Sequence, residues 1–139
     1  MQNPIKKHAE KIRFGMVGIA NTVLDFAILF LLVNLGLDKI PANYISTSSA
    51  FVFSFFVNRS FTFKSTNSNV KKQFGMFLTV TLIGIWVIQP IVIVFASWCM
   101  GGLNLSDSLM LLVAKLIATL ASLIWNYLFY SRVVFKKES

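Results

Sequence analysis

The chain has 139 residues, 56% of them hydrophobic and 13% charged, with a mean hydropathy of +0.72 and a net charge of +8. Soluble domains run at about 45–50% apolar and about 25% charged, so a water-soluble globular enzyme and a disordered chain are both excluded. A single cysteine, Cys99, excludes a disulfide scaffold. What remains is an all-α polytopic membrane protein, expected to form one transmembrane domain over 1–139.

In chain order, residues 1–13 are a basic lead-in carrying Lys6, Lys7, Lys11 and Arg13. The first apolar stretch, 14–36, is too long for a signal-peptide core and has no small-residue cleavage site after it, so it reads as an anchor. A tight turn over 37–41 leads to a second stretch, 42–61. A Ser- and Asn-rich loop at 64–73 precedes the third, 74–100. The Gly-Gly-Leu-Asn-Leu-Ser-Asp turn follows, with Ser106 or Asp107 as N-cap for the fourth, 109–131. Each stretch is long enough to cross a hydrocarbon core of ~30 Å.

The charges fix an orientation. Arg13 and the lead-in lysines, then Arg59, Lys64, Lys71 and Lys72, then Arg132, Lys136 and Lys137 all fall on one side. The other side has only Lys39, while Lys115 sits inside the fourth stretch. By the positive-inside rule both termini and the middle loop are cytoplasmic. This sidedness accounts for the pI near 9.9, so no nucleic-acid partner is expected.

The two halves resemble each other. Phe14-Gly15-Met16 recurs as Phe74-Gly75-Met76, and Ser54 and Asn58 recur as Ser122 and Asn126 at an offset of 68. Two-span units keep their orientation, so two parallel helix-pair repeats are expected.

Polar residues inside the spans carry most of the chemistry. Gly18, Asn21 and Asp25 share one face of the first helix, with Asp25 near the midplane. Thr47, Ser54 and Asn58 share a face of the second helix, and Lys115, Thr119, Ser122 and Asn126 a face of the fourth. The third contributes Thr81, Gln89 and the kink-prone Pro90. An ionised side chain near a helix centre costs ~2.5–3.5 kcal/mol on insertion scales and so faces a partner or a wet path. Asp25 and Lys115 have opposite sign, and either a structural ion pair or two groups lining a path accounts for them. The asparagines suit interhelical hydrogen bonds as well as ligand contacts. At the inner boundary, Asn58-Arg59-Ser60-Phe61-Thr62-Phe63-Lys64 sets a guanidinium among aromatics, with Arg13 at the same level. Such a group can hold a phosphate bidentately. No metal-ligand spacing, nucleophile–base pair or phosphate loop occurs, so neither catalysis nor a metal or other cofactor is expected.

Arg13-Phe14-x-x-Val17-Gly18, Asn21-Thr22-x-x-Asp25-Phe26 and Ser54-Phe55-x-x-Asn58-Arg59-x-x-Thr62-Phe63 together resemble the GtrA-like family of four-span bacterial membrane proteins. The resemblance runs the length of the chain and is weakest in the fourth span. There Phe135 follows Asn126 by nine residues, where Phe63 follows Asn58 by five. It implies translocation of a polyprenyl-phosphate-linked sugar across the bacterial cytoplasmic membrane, in the service of cell-surface polysaccharide such as O-antigen or teichoic acid. On that expectation Arg59, helped by Arg13 and Lys64, captures the phosphate. Asn21, Asp25, Ser54, Asn58 and Asn126 line the path, and Lys115 receives the phosphate toward the outer side. Four helices leave little room for a glycolipid, so a homo-oligomer is expected, embedded in membrane lipid and working beside a membrane glycosyltransferase. Two alternatives are a non-transporting subunit that docks such a glycosyltransferase and a small proton-coupled drug exporter built on Asp25. The one-sided basic bias and Lys115 count against the exporter.

Overall fold

The computed structural model describes residues 3–136, and among these there is no strand. Four helical stretches are long and apolar enough to cross a membrane: Pro4–Asn34, Lys39–Thr62, Val70–Met100 and Asp107–Val134. The protein is thus a multi-pass membrane protein. Its chain divides into two compact units, Met1–Thr66 and Asn67–Ser139.

In the first unit, helix α1 (Pro4–Asn34) starts ten residues before the apolar stretch that the composition marks. Asn3 accepts a hydrogen bond from the Ile5 N–H at 3.2 Å and Pro4 occupies the first turn, where no N–H is needed. The basic lead-in is therefore the first part of α1. The helix stops at Gly36, whose φ of 96° is open to glycine alone, while the Leu37 N–H bonds back to Leu32 at 3.0 Å. Helix α2 (Lys39–Val57) follows, with Pro41 tolerated in its first turn. It widens at its far end into a π turn, π1 (Asn58–Thr62), closed by the Phe63 N–H on the Asn58 carbonyl at 2.9 Å. Lys64 then takes φ 48°, and the Ser65 N–H reaches the Arg59 carbonyl at 2.8 Å.

The two helices pack through small residues. Ala42, Ser46 and Ala50 are buried at four-residue spacing on α2, which lets the α1 backbone come close. Small interfaces suit a membrane because lipid tails supply no hydrophobic drive between helices. At the π1 end, Arg13 donates from Nε and Nη2 to the Thr62 carbonyl at 3.3 and 3.1 Å, and Phe14 packs on Phe63 with ring centroids 6.2 Å apart.

The second unit begins at α3 (Val70–Ile83), capped by the Asn69 side chain on the Lys72 N–H at 3.2 Å. A second π turn, π2 (Gly84–Ile88), separates it from α4 (Gln89–Met100). Its cause is Pro90, which lacks an N–H and whose ring would strike the carbonyl one turn back in a regular helix. Ser106 caps α5 (Asp107–Phe129) by accepting from the Leu109 N–H at 3.3 Å, and π3 (Tyr130–Val134) ends that helix, closed by the Phe135 N–H on the Tyr130 carbonyl at 2.8 Å. Here too the buried contact residues are small: Ala114, Ala118 and Ser122. Phe77 stacks on Tyr130 at 4.4 Å and lies 6.1 Å from Phe135.

Position by position, the buried residues Ala42, Ser46, Ala50, Asn58, Thr62 and Phe63 of the first unit stand 72 residues before Ala114, Ala118, Ser122, Tyr130, Val134 and Phe135 of the second. In that register Asn58 corresponds to Tyr130, and Asn126 corresponds to Ser54.

Overfilling these small positions should loosen the packing. Ala118 has no exposed surface, and placing leucine there costs about 1–3 kcal/mol by overpacking. All three tryptophans lie in the second unit, so the midpoint of tryptophan-detected thermal unfolding in detergent is expected to fall by several degrees in Ala118→Leu. It is expected to stay put in Leu112→Ala, which alters only an exposed face.

Candidate functional site

The site is built from the α1–α2 pair. The helices are antiparallel, and Arg13 against Thr62 sets their level. At ~1.5 Å per residue along each helix, Asn21 then lies level with Ser54, and Asp25 with Ala50. Phe30 and Tyr44 lining one groove at the other end of the pair agree with that register.

Along this pair, four side-chain oxygens are buried without a hydrogen-bond partner: Asn21 Oδ1, Asp25 Oδ1, Asn58 Oδ1 and Thr62 Oγ1. Asn21 and Asp25 are one turn apart on α1, while Asn58 and Thr62 are one turn apart at the end of α2. Asn58 spends its donor inside its own helix, from Nδ2 to the Ser54 carbonyl at 2.9 Å and to Ser54 Oγ at 3.1 Å. That leaves its carbonyl oxygen unanswered. Each unpartnered buried polar group costs about 1–3 kcal/mol, and a natural chain keeps several together only where something else rewards them. All four can accept a hydrogen bond, and the Thr62 hydroxyl can also donate one. A ligand with several hydroxyl donors complements them.

Three basic groups surround the lower end. Arg13 is half-buried and has two of its donors committed to the Thr62 carbonyl, so in the fold it anchors π1. Arg59 is half-buried within π1, and Lys64 is exposed just beyond it. A non-glycine residue in the left-handed region is uncommon and gathers at functional sites. Lys64 holds a position where glycine would relieve the backbone.

The remaining two expected site residues belong to the second unit. Lys115 is exposed on α5, and its carbonyl accepts from Thr119 Oγ1 at 2.8 Å. Asn126 has a buried, unpartnered Oδ1 facing Gly84, where a β-carbon would come within 3.0 Å of it. Other polar groups of this unit are answered. Gln89 Nε2 donates to Ser122 Oγ at 3.0 Å, Ser122 Oγ to the Thr119 carbonyl at 3.2 Å, and Trp125 Nε1 to the Val80 carbonyl at 3.1 Å. Thr81 and Tyr130 share a hydrogen bond between their hydroxyls. Unmet acceptors therefore concentrate in the first unit.

Thr62 is the site residue that sequence reasoning passed over. Its signal was the i+4 step from Asn58, obscured because threonine bonds to its own helix so readily. Among the described residues no group of three or more His, Cys, Asp or Glu could hold a metal, and Cys99 is an exposed thiol.

Residues 13–135 match the family described as "GtrA/DPMS, transmembrane domain". The chain is also similar to the "Uncharacterized membrane protein YngA" of Bacillus subtilis (strain 168), at 29% identity over 116 residues, covering 84% of this chain and 72% of that protein. The match begins at Arg13, which anchors π1, and ends at Phe135, whose N–H closes π3. With nearly the whole chain inside that match, the protein is a member of the GtrA/DPMS transmembrane-domain family.

Proposed function

We propose that this protein translocates a polyprenyl-phosphate-linked monosaccharide across the bacterial cytoplasmic membrane, supplying cell-surface polysaccharide synthesis or glycosylation, and is not itself an enzyme. The observation that carries the reading is the run of unmet acceptors on Asn21, Asp25, Asn58 and Thr62, whose π1 end carries Arg59 and leads into Lys64. A sugar brings hydroxyl donors to such oxygens, and its phosphate needs cations at one end. Arg59 takes the phosphate in a bidentate grip and Lys64 adds a second charge. Arg13 holds π1 in place for them. The sugar then moves past Asn58 and Ser54 to Asn21 and Asp25 while the isoprenoid chain stays in lipid. Within the second unit, Asn126 has an unmet acceptor of its own and Lys115 an exposed ammonium. Both termini lie in the cytoplasm.

A second reading has its own support. The first turns of α1 carry exposed Lys6, Lys7 and Lys11 on a helix already formed from Pro4. A preformed basic helix suits docking of a membrane glycosyltransferase, with this chain as a non-transporting subunit.

Proteoliposomes holding only the purified protein separate the two. With a labelled polyprenyl-phosphate sugar placed in one leaflet, transfer well above protein-free liposomes is expected, and Arg59→Ala should lower it at least tenfold. Transfer no faster than in empty liposomes, with a glycosyltransferase retained on the purified protein, would favour the docking subunit. Lys64→Gly is expected to raise the unfolding midpoint by relieving the φ of 48° while slowing transfer severalfold. A purely structural Lys64 would give the stability gain with transfer unchanged.

A further inference from the structure

At the end of the first unit away from π1, the last turns of α1 and the first turns of α2 enclose a groove of about 510 Å³. Sites for one small ligand run at about 300–1,000 Å³. Leu29, Phe30 and Val33 form one wall and Ile40 part of the other. The polar residues of the lining are few: Lys39, Asn43 and Tyr44, all within the first two turns of α2.

Three features select an occupant. Lys39 is the first residue of α2, so it stands at the level where lipid phosphates lie, with apolar walls running inward from it. The groove runs between one pair of helices, which suits a single chain better than the two chains of a phospholipid. The α1 face bearing Asn21 and Asp25 continues at four-residue steps into Leu29 and Val33, so the groove prolongs the run of unmet acceptors. Asp38, the neighbouring carboxylate, is exposed and does not line the groove.

We infer that this groove is a second isoprenyl-phosphate site, at the opposite end of the unit from Arg59, where Lys39 holds the phosphate and Leu29, Phe30 and Ile40 take the start of the chain. It rests on the translocation reading for its role, as the place from which the carried lipid leaves. Asn43 and Tyr44 offer hydrogen bonds beside the phosphate.

The test uses the full chain in phosphatidylcholine nanodiscs and a farnesyl monophosphate bearing a photoreactive group on its isoprenoid tail. Labelling is expected within 29–44, reduced at least fivefold in Lys39→Gln and retained in Lys39→Arg, which keeps the charge. Excess unlabelled farnesyl phosphate should abolish it, whereas an equal amount of phosphatidylglycerol should not. Equal competition by phosphatidylglycerol would make this an ordinary anionic-lipid contact and overturn the proposal. So would labelling indifferent to Lys39→Gln. Because the readout needs no transport, labelling in a protein that transfers nothing in proteoliposomes upholds the groove and removes the translocation reading. Transfer without labelling does the reverse.

Discussion

Arg13 donates two hydrogen bonds to the Thr62 carbonyl, and much of the first unit hangs on that contact. In hydrocarbon no water answers a stray carbonyl, so each departure from a regular helix has to be matched from within the protein. The π turn at Asn58–Thr62 is such a departure. A charged donor from the neighbouring helix meets its last carbonyl, and the Phe63 and Ser65 N–H groups close the turn behind it. The same contact sets the level of α1 against α2, and through it brings Asn21 level with Ser54. Placement of the candidate site follows from an arginine that is itself mostly structural.

The two units divide their polar chemistry unequally. In the second, glutamine, serine, threonine, tryptophan and tyrosine find partners within the unit, which rigidifies a polar interior. In the first, Asn21, Asp25, Asn58 and Thr62 each keep a buried oxygen without a partner. An interior held in that condition is less stable than it could be, the usual mark of a surface shaped for a ligand. Both units nonetheless follow the same order of small buried residues, π turn and buried phenylalanine.

Much of this was readable in the residues. Long apolar runs and few charges gave four spans, and Ser106 was a cap because its hydroxyl can meet the Leu109 N–H. Asn21, Asp25 and Asn58 stood out because polar groups are costly in lipid. The lead-in was harder: Lys6, Lys7 and Lys11 mark the membrane edge, but nothing in them stops a helix, and α1 runs through. The offset of 68 came from matching side-chain identities, Ser54 and Asn58 with Ser122 and Asn126. Burial follows an offset of 72, and its trace was present in the unequal gaps from Asn58 to Phe63 and from Asn126 to Phe135. The groove at Lys39 was invisible because it arises only where two helix ends meet.

The π turn ahead of Pro90 has a consequence for phase. Each residue of a regular helix advances the side chain by ~100°. From Gly84 to Ala96, both buried, twelve such steps would leave the two residues ~120° apart around the helix. The π turn absorbs one residue, and the difference shrinks to ~20°. The long third span thus presents one face toward α5 at both ends, although its sequence has no single period. Deleting one residue between Gly84 and Ile88 would remove the absorbed residue, and the eleven remaining steps of a regular helix would still hold Ala96 within ~20° of Gly84. Deleting one residue inside α4 ahead of Ala96 would instead turn Ala96 and everything beyond it by ~100°, off the packing face.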